Sequence, residues 1–122
     1  MSEKSTSYET AIPATKIHSI EEGLLELKSL NPTLYCTVEK QLSLIREDSD
    51  ICGGLVKADV LVGIIRGATQ CRGWSYHMSL RKNKCAISLV VGKHCISSEG
   101  NIVYASFEAY LEAVRRFPNV RE

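Results

Sequence analysis

A chain of 122 residues has the length of one domain, and its apolar fraction of 44% and charged fraction of 24% suit a globular protein with a core of its own. No apolar run approaches the roughly 20 residues of a membrane span, and Met1 to Thr10 is polar with Glu3 and Glu9, unlike a signal peptide. The net charge of +1 conceals an asymmetry, since residues 1–56 carry five bases against nine acids, whereas residues 60–98 carry six bases and no acid. Such an asymmetry implies an anionic partner, or an acidic half docked on a basic one.

Residues 1–17 are polar, rich in Ser and Thr, and read as a flexible N-terminal arm ahead of a single domain over 18–122. Ser19 and Glu22 have the spacing of a capping box. Ile20, Leu24, Leu27 and Leu30 follow at helical intervals and make one apolar face. Asn31-Pro32 ends that helix and starts a second, since Asn caps well and Pro is tolerated at the first helical position. Leu34, Tyr35, Val38, Leu42 and Ile45 support this second helix from Pro32 to about Glu47. Glu47-Asp48-Ser49-Asp50 and Gly53-Gly54 read as a loop. Residues 56–70 fit a helix through Leu61, Ile64, Ile65 and Ala68 and a strand through their apolar runs. Their length favours the helix, with Gly73 near its end.

The strongest periodicity begins at Trp74. Trp74, Tyr76, Met78 and Leu80 alternate with Ser75, His77, Ser79 and Arg81, and Cys85, Ile87, Leu89 and Val91 alternate with Lys84, Ala86, Ser88 and Val90. A two-residue turn at Lys82-Asn83 pairs Arg81 with Lys84, Leu80 with Cys85, Met78 with Ile87 and Tyr76 with Leu89. That register puts both apolar sets on one face. Residues 97–100 read as a loop and residues 102–105 as a further strand. The last helix is expected from Ser106, as its cap, to Phe117, with Phe107, Tyr110, Leu111, Val114 and Phe117 as its apolar stripe and Pro118 as its stop. It should pack on the apolar face of the hairpin. The fold class is α+β: two or three N-terminal helices, an antiparallel hairpin or three-stranded sheet, and a C-terminal amphipathic helix.

Cys36, Cys52, Cys71, Cys85 and Cys95 are odd in number and follow no export signal, so they read as reduced, buried thiols of a cytoplasmic protein. Cys71, His77, Cys85, His94 and Cys95 are acceptable zinc ligands but lack the close pairs of a structural site, and the alternation sends His77 and Cys85 to opposite faces. Cys52-Gly53-Gly54 and His94-Cys95 show neither a lowered thiol pKa nor a positioned base. The glycines at 53, 54, 63 and 67 match no phosphate-binding loop. No metal, no cofactor and no catalytic residue is therefore expected.

Arg72, His77, Arg81, Lys82, Lys84 and Lys93 are the candidate anion-binding or nucleic-acid-binding residues, with the basic charge concentrated at the 81–84 turn. The ββ(β)α order over Trp74 to Phe117 resembles, in architecture alone, the small three-stranded-sheet DNA readers of tyrosine integrase arm-binding domains and plant ethylene-response factors. That resemblance implies a sheet face that reads DNA. A pI near neutrality departs from the usual footprint of such binders. The leading expectation is a small non-enzymatic binding or regulatory protein acting on a protein partner or by self-association, as an adaptor, inhibitor or immunity-type protein. DNA or RNA binding through the basic face and tip of the 74–91 hairpin is the alternative, and metal- or thiol-dependent activity a minor one.

Overall fold

The computed structural model of the chain describes residues 11–43 and 50–117. Strand β1 (Ala11–Pro13) comes first. Helix α1 (Ile20–Leu30) starts at Ser19, whose hydroxyl accepts the Glu22 N–H at 3.1 Å, while the Glu22 carboxylate accepts the N–H of His18 at 2.9 Å. The capping box is present, with its return bond shifted one residue back. Asn31 closes α1 by donating its N–H to the Leu27 carbonyl at 2.7 Å, and it opens α2 (Pro32–Ser43) by accepting the Leu34 N–H on its side chain. Its side-chain amide also donates to the Tyr110 hydroxyl at 3.3 Å, so the joint between the two helices is fastened to the core. Residues 44–49, including the expected end of α2 and most of the acidic run, lie outside the described residues.

Helix α3 (Asp50–Cys71) contains the segment 56–70. Gly53-Gly54, expected in a loop, lies inside it. Two helical glycines cost about 1 kcal/mol each, which a helix anchored by a packed half can absorb. That anchor is Leu61, Ile65 and Thr69, spaced four apart and buried. Gly73 ends the helix at φ +82°, with its N–H returned to Gln70 and that of Trp74 to Thr69. These are the two bonds of a Schellman cap, which needs a left-handed residue at this position.

Strands β2 (Ser75–Arg81) and β3 (Lys84–Val91) form the hairpin in the register read from the sequence, Tyr76 opposite Leu89, Met78 opposite Ile87, Leu80 opposite Cys85 and Arg81 opposite Lys84. Lys82 has φ +54° and Asn83 a negative φ, the sign pattern of a type II′ turn. After Gly92-Lys93, β4 (His94–Gly100) pairs with the other side of β3. The expected loop at 97–100 is thus strand, and the expected strand at 102–105 is helix. Asn101 explains the change, because its side-chain oxygen accepts the N–H groups of Val103 and Tyr104 and starts helix α4 (Ile102–Arg116) one turn before Ser106. Ser106 is instead buried, its hydroxyl 2.8 Å from that of Tyr76.

β1 lies parallel to β4, so the sheet runs β1-β4-β3-β2. Residues 11–17, read as part of a mobile arm, continue from that strand with Ala14 and Ile17 buried, while residues 1–10 lie outside the described residues. α4 packs on β3 and β4 and is flanked by α1 and α3. It is therefore buried on nearly every side, including Phe107, Tyr110 and Leu111 of the expected stripe and Ala105, Ala109 and Ala113 between them. A Cβ at Gly23 would stand 3.0 Å from Ile17 Cδ1 and at an ordinary contact distance of 3.6 Å from the Phe107 ring, so the glycine makes room for the Ile17 side chain. Replacing Phe107 by Ala would cost about 3–5 kcal/mol by transfer and cavity terms.

Full enclosure of α4 also buries two carboxylates. Glu108 is 3% exposed and accepts the Ile17 N–H at 3.0 Å, the Ser98 hydroxyl, and Lys16 Nζ at 3.4 Å. Glu112 accepts the N–H and hydroxyl of Thr15 at 3.1 and 3.0 Å, Arg115 at 2.7 Å and Arg116 at 2.6 Å. The chain between β1 and α1 is thus held on α4 by paired buried acids. Arg115 also pairs with Glu26 and ties α1 to the same helix end.

Candidate interaction surface

The sheet has two faces of different chemistry. Toward the helices stand Tyr76, Met78 and Leu80 of β2, Cys85, Ile87, Leu89 and Val91 of β3, and Ile96 and Ser98 of β4. Outward stand Ser75, His77 and Ser79, then Lys84, Ala86, Ser88 and Val90, then Cys95, Ser97 and Glu99. The outward set is the polar face anticipated from the alternation.

Five of the six candidate residues divide between the ends of this sheet. Lys82 and Lys84 are exposed at the β2–β3 turn, where Arg81 is paired with Lys84, although the Arg81 side chain falls outside what the structure describes. Lys93 is exposed in the β3–β4 turn at the opposite end. Arg72 stands at that end too, its guanidinium 5.0 Å from the centre of the Trp74 ring. A seven-residue strand separates the two groups by about 20 Å, and His77 is exposed on the outward face between them. Glu99, also exposed, stands on the same face opposite Ala86. The basic residues therefore form a tip and a distant pair, with an acid on the surface that would have to join them.

Trp74 is 2% exposed and 6.4 Å from the Tyr110 ring, so it is core, as its alternation with Met78 and Leu80 implies. A shallow cavity of about 540 Å³ opens beside β1, lined by Pro13, Lys16, Ala86, Ser88, Ser97 and Glu99. Its one cation is engaged already: Lys16 Nζ donates to the Glu99 carbonyl at 2.7 Å and the Ser98 hydroxyl at 3.4 Å, and pairs with Glu108.

The cysteines are of two kinds. Cys85 and Cys95 are buried, and burial pushes both thiols above their ordinary pKa, with a Ser88 hydrogen bond partly offsetting it at Cys95. Cys36 on α2 and Cys71 at the end of α3 are exposed, contrary to the expectation of buried thiols. The Cys52 side chain lies outside the described part. His94 stacks on Phe117 at 4.6 Å while Cys95 stands on the other face of β4, so sequence adjacency does not bring imidazole to thiol. Among the described residues no three His, Cys, Asp or Glu side chains could share a metal ion, and no helix is long and apolar enough to cross a membrane.

The surface that sequence reasoning missed is apolar. The hairpin face expected beneath the last helix is covered over β3 and, on β2, at Tyr76, whose hydroxyl reaches Ser106 of α4, whereas Met78 and Leu80 farther along β2 are 47% and 77% exposed. Geometry gives the reason. A helix about 10 Å across spans two strands spaced about 4.8 Å apart, and most of a third strand lies beyond it. β2 also has a neighbour on one side only among the described residues. Strand widths set against the single long apolar stripe of 107–117 were the available signal.

Comparison of the chain with protein-family models, with curated proteins and with solved structures finds no match.

Proposed function

We propose that this chain is a small non-enzymatic binding protein that acts through protein–protein contact, with β2 as its contact strand. One observation carries the reading: Met78 and Leu80 are exposed in a row along a seven-residue strand whose outer edge has no neighbour among the described residues. Proteins usually blunt such edges with prolines, bulges, inward charges or very short strands. β1, the opposite edge, is three residues long and contains Pro13. β2 has no proline and keeps an unbroken register with β3. Strand addition would supply main-chain hydrogen bonds for affinity and the aliphatic row for selectivity. An adaptor, inhibitor or immunity-type role in a reducing compartment such as the cytoplasm suits a surface of this kind beside the four free cysteines described.

The test compares immobilised wild type with Leu80→Lys in cell extract, after circular dichroism has shown the variant to be folded. A partner, or the chain itself, retained in stoichiometric amount by the wild type and lost by the variant supports the reading. Equal retention by both overturns it.

A second reading rests on the exposed Lys82 and Lys84 at the hairpin tip. Phosphate contacts there would bind DNA or RNA with an affinity that falls steeply with salt and with Lys82→Ala plus Lys84→Ala. Anisotropy at two salt concentrations decides it, and absent or salt-insensitive binding removes it.

A further inference from the structure

The edge of β2 is complementary to itself. A two-residue turn makes Arg81 and Lys84 a hydrogen-bonded pair, and the alternation of an antiparallel ladder then aims the backbone groups of Ser75, His77 and Ser79 at β3. The backbone groups of Tyr76, Met78 and Leu80 are left aimed away from β3, at an edge that no other described strand occupies. These are also the residues whose side chains make the apolar row.

We propose that the partner on this edge is a second copy of the chain, β2 running antiparallel to β2 about a two-fold axis at Met78. This rests on the protein-contact reading above and names its occupant. In that register Met78 faces Met78 of the second copy, and Tyr76 faces Leu80 of the second copy on either side. All three outward residues then find outward counterparts, giving about six main-chain hydrogen bonds. A register displaced by one residue sets outward groups against groups already bonded to β3. A register centred on His77 or Ser79 leaves an outward residue at one end without an outward partner from β2.

The side chains agree with this choice. A two-fold axis through the sheet keeps the helices of both copies on one side, so the two apolar rows meet and Leu80 packs beside Tyr76 of the second copy. The one charged position on β2 is Arg81, which falls opposite Ser75 of the second copy, so no like charges face each other across the seam. The result is a continuous sheet across two copies, with the short, proline-bearing β1 outermost on each side among the described strands. A contact built on one strand each falls short of the roughly 1,200 Å² of a stable complex, so the dimer should dissociate in the micromolar range.

Sedimentation equilibrium of the full chain from low to high micromolar concentration tests this. The weight-average mass is expected to rise from 13.5 kDa toward twice that value. Leu80→Lys should weaken the association at least about tenfold. Leu25→Lys, a change at a residue 68% exposed on α1, should leave it unmoved. The register is read separately with Met78→Cys, since a hydrogen-bonded pair at a Cα separation of about 5.5 Å suits a disulfide. Mild oxidation should give a bridge from Cys at 78 to its counterpart, identified by peptide mass spectrometry. A mass of one chain at every concentration overturns the second copy as occupant. If Leu80→Lys still abolishes capture of a different protein, the broader reading survives that result. A dimer insensitive to Leu80→Lys and without the bridge at 78 overturns the use of this edge altogether.

Discussion

Replacing Glu112 by Gln should loosen the segment between β1 and α1. The carboxylate accepts two bonds from Thr15 and one each from Arg115 and Arg116, all between 2.6 and 3.1 Å. Glutamine keeps one acceptor oxygen, so a bond to Thr15 can persist, but the charge opposite two guanidinium groups is lost. Breaking a fully buried pair from one side costs about 3–5 kcal/mol. The Arg115 and Arg116 side chains are 28% and 49% exposed and can rehydrate, which lowers the expected cost to about 2 kcal/mol at pH 7. That corresponds to a Tm lower by roughly 6–12 °C in a domain of this size. Urea unfolding at pH 7 and at pH 3 measures it. Burial alone would raise the Glu112 pKa, but the Thr15 and Arg116 donors outweigh it and hold the group below the usual glutamate value. A depressed folded-state pKa contributes stability that is complete above the unfolded value, about 4.3, and is lost as pH falls through the folded one. The gap between wild type and variant should therefore close below about pH 4. Trypsin should also cut after Lys16 faster in the variant at pH 7. A cost under about 0.5 kcal/mol at pH 7, or a gap of the same size at pH 3, would refute the account of these acids as anchors.

Three further outcomes are expected. Lys82→Gly should stabilise the fold by about 0.5–1 kcal/mol, because a type II′ turn takes Gly at its first central position and Lys82 holds φ +54°; unchanged or lower urea midpoints would count against that turn assignment. Gly63→Ala and Gly67→Ala should each stabilise α3 by up to about 1 kcal/mol, since a Cβ at either position meets no atom within 4 Å, and thermal melts report the gain. Alkylation at pH 8 followed by peptide mass spectrometry should label Cys36 and Cys71 rapidly and leave Cys85 and Cys95 until unfolding, since burial shields the latter pair and raises their thiol pKa values.

Several of the local elements were legible along the chain. Ser19 and Asn31 announce helix starts because capping involves residues three or four apart. The β2–β3 register followed from alternation and a two-residue turn, since a slip of one residue would invert both faces. The stripe on α4 identified its core face. β4 was less legible because the inward His94 and Ser98 and the outward Cys95 weaken its alternation, and the reason for Ser98 is Glu108, a residue on another element.

What the sequence by itself determined was therefore the set of pieces and the faces they present to a core: the caps, the hairpin and the amphipathic last helix. Tertiary structure alone decided how many sides each piece buries. It enclosed α4 so fully that Glu108 and Glu112 became buried anchors for a segment about 90 residues earlier in the chain. It placed β1 parallel beside β4, a pairing with no local signal. It also left the far part of β2 uncovered, so that Met78 and Leu80, written in the same alternation as the buried Ile87 and Leu89, stand exposed while Tyr76 of the same strand reaches Ser106 of α4. Periodicity states which side of a strand is apolar. Whether another element covers that side depends on the widths and order of the strands, and those are fixed only when distant parts of the chain meet.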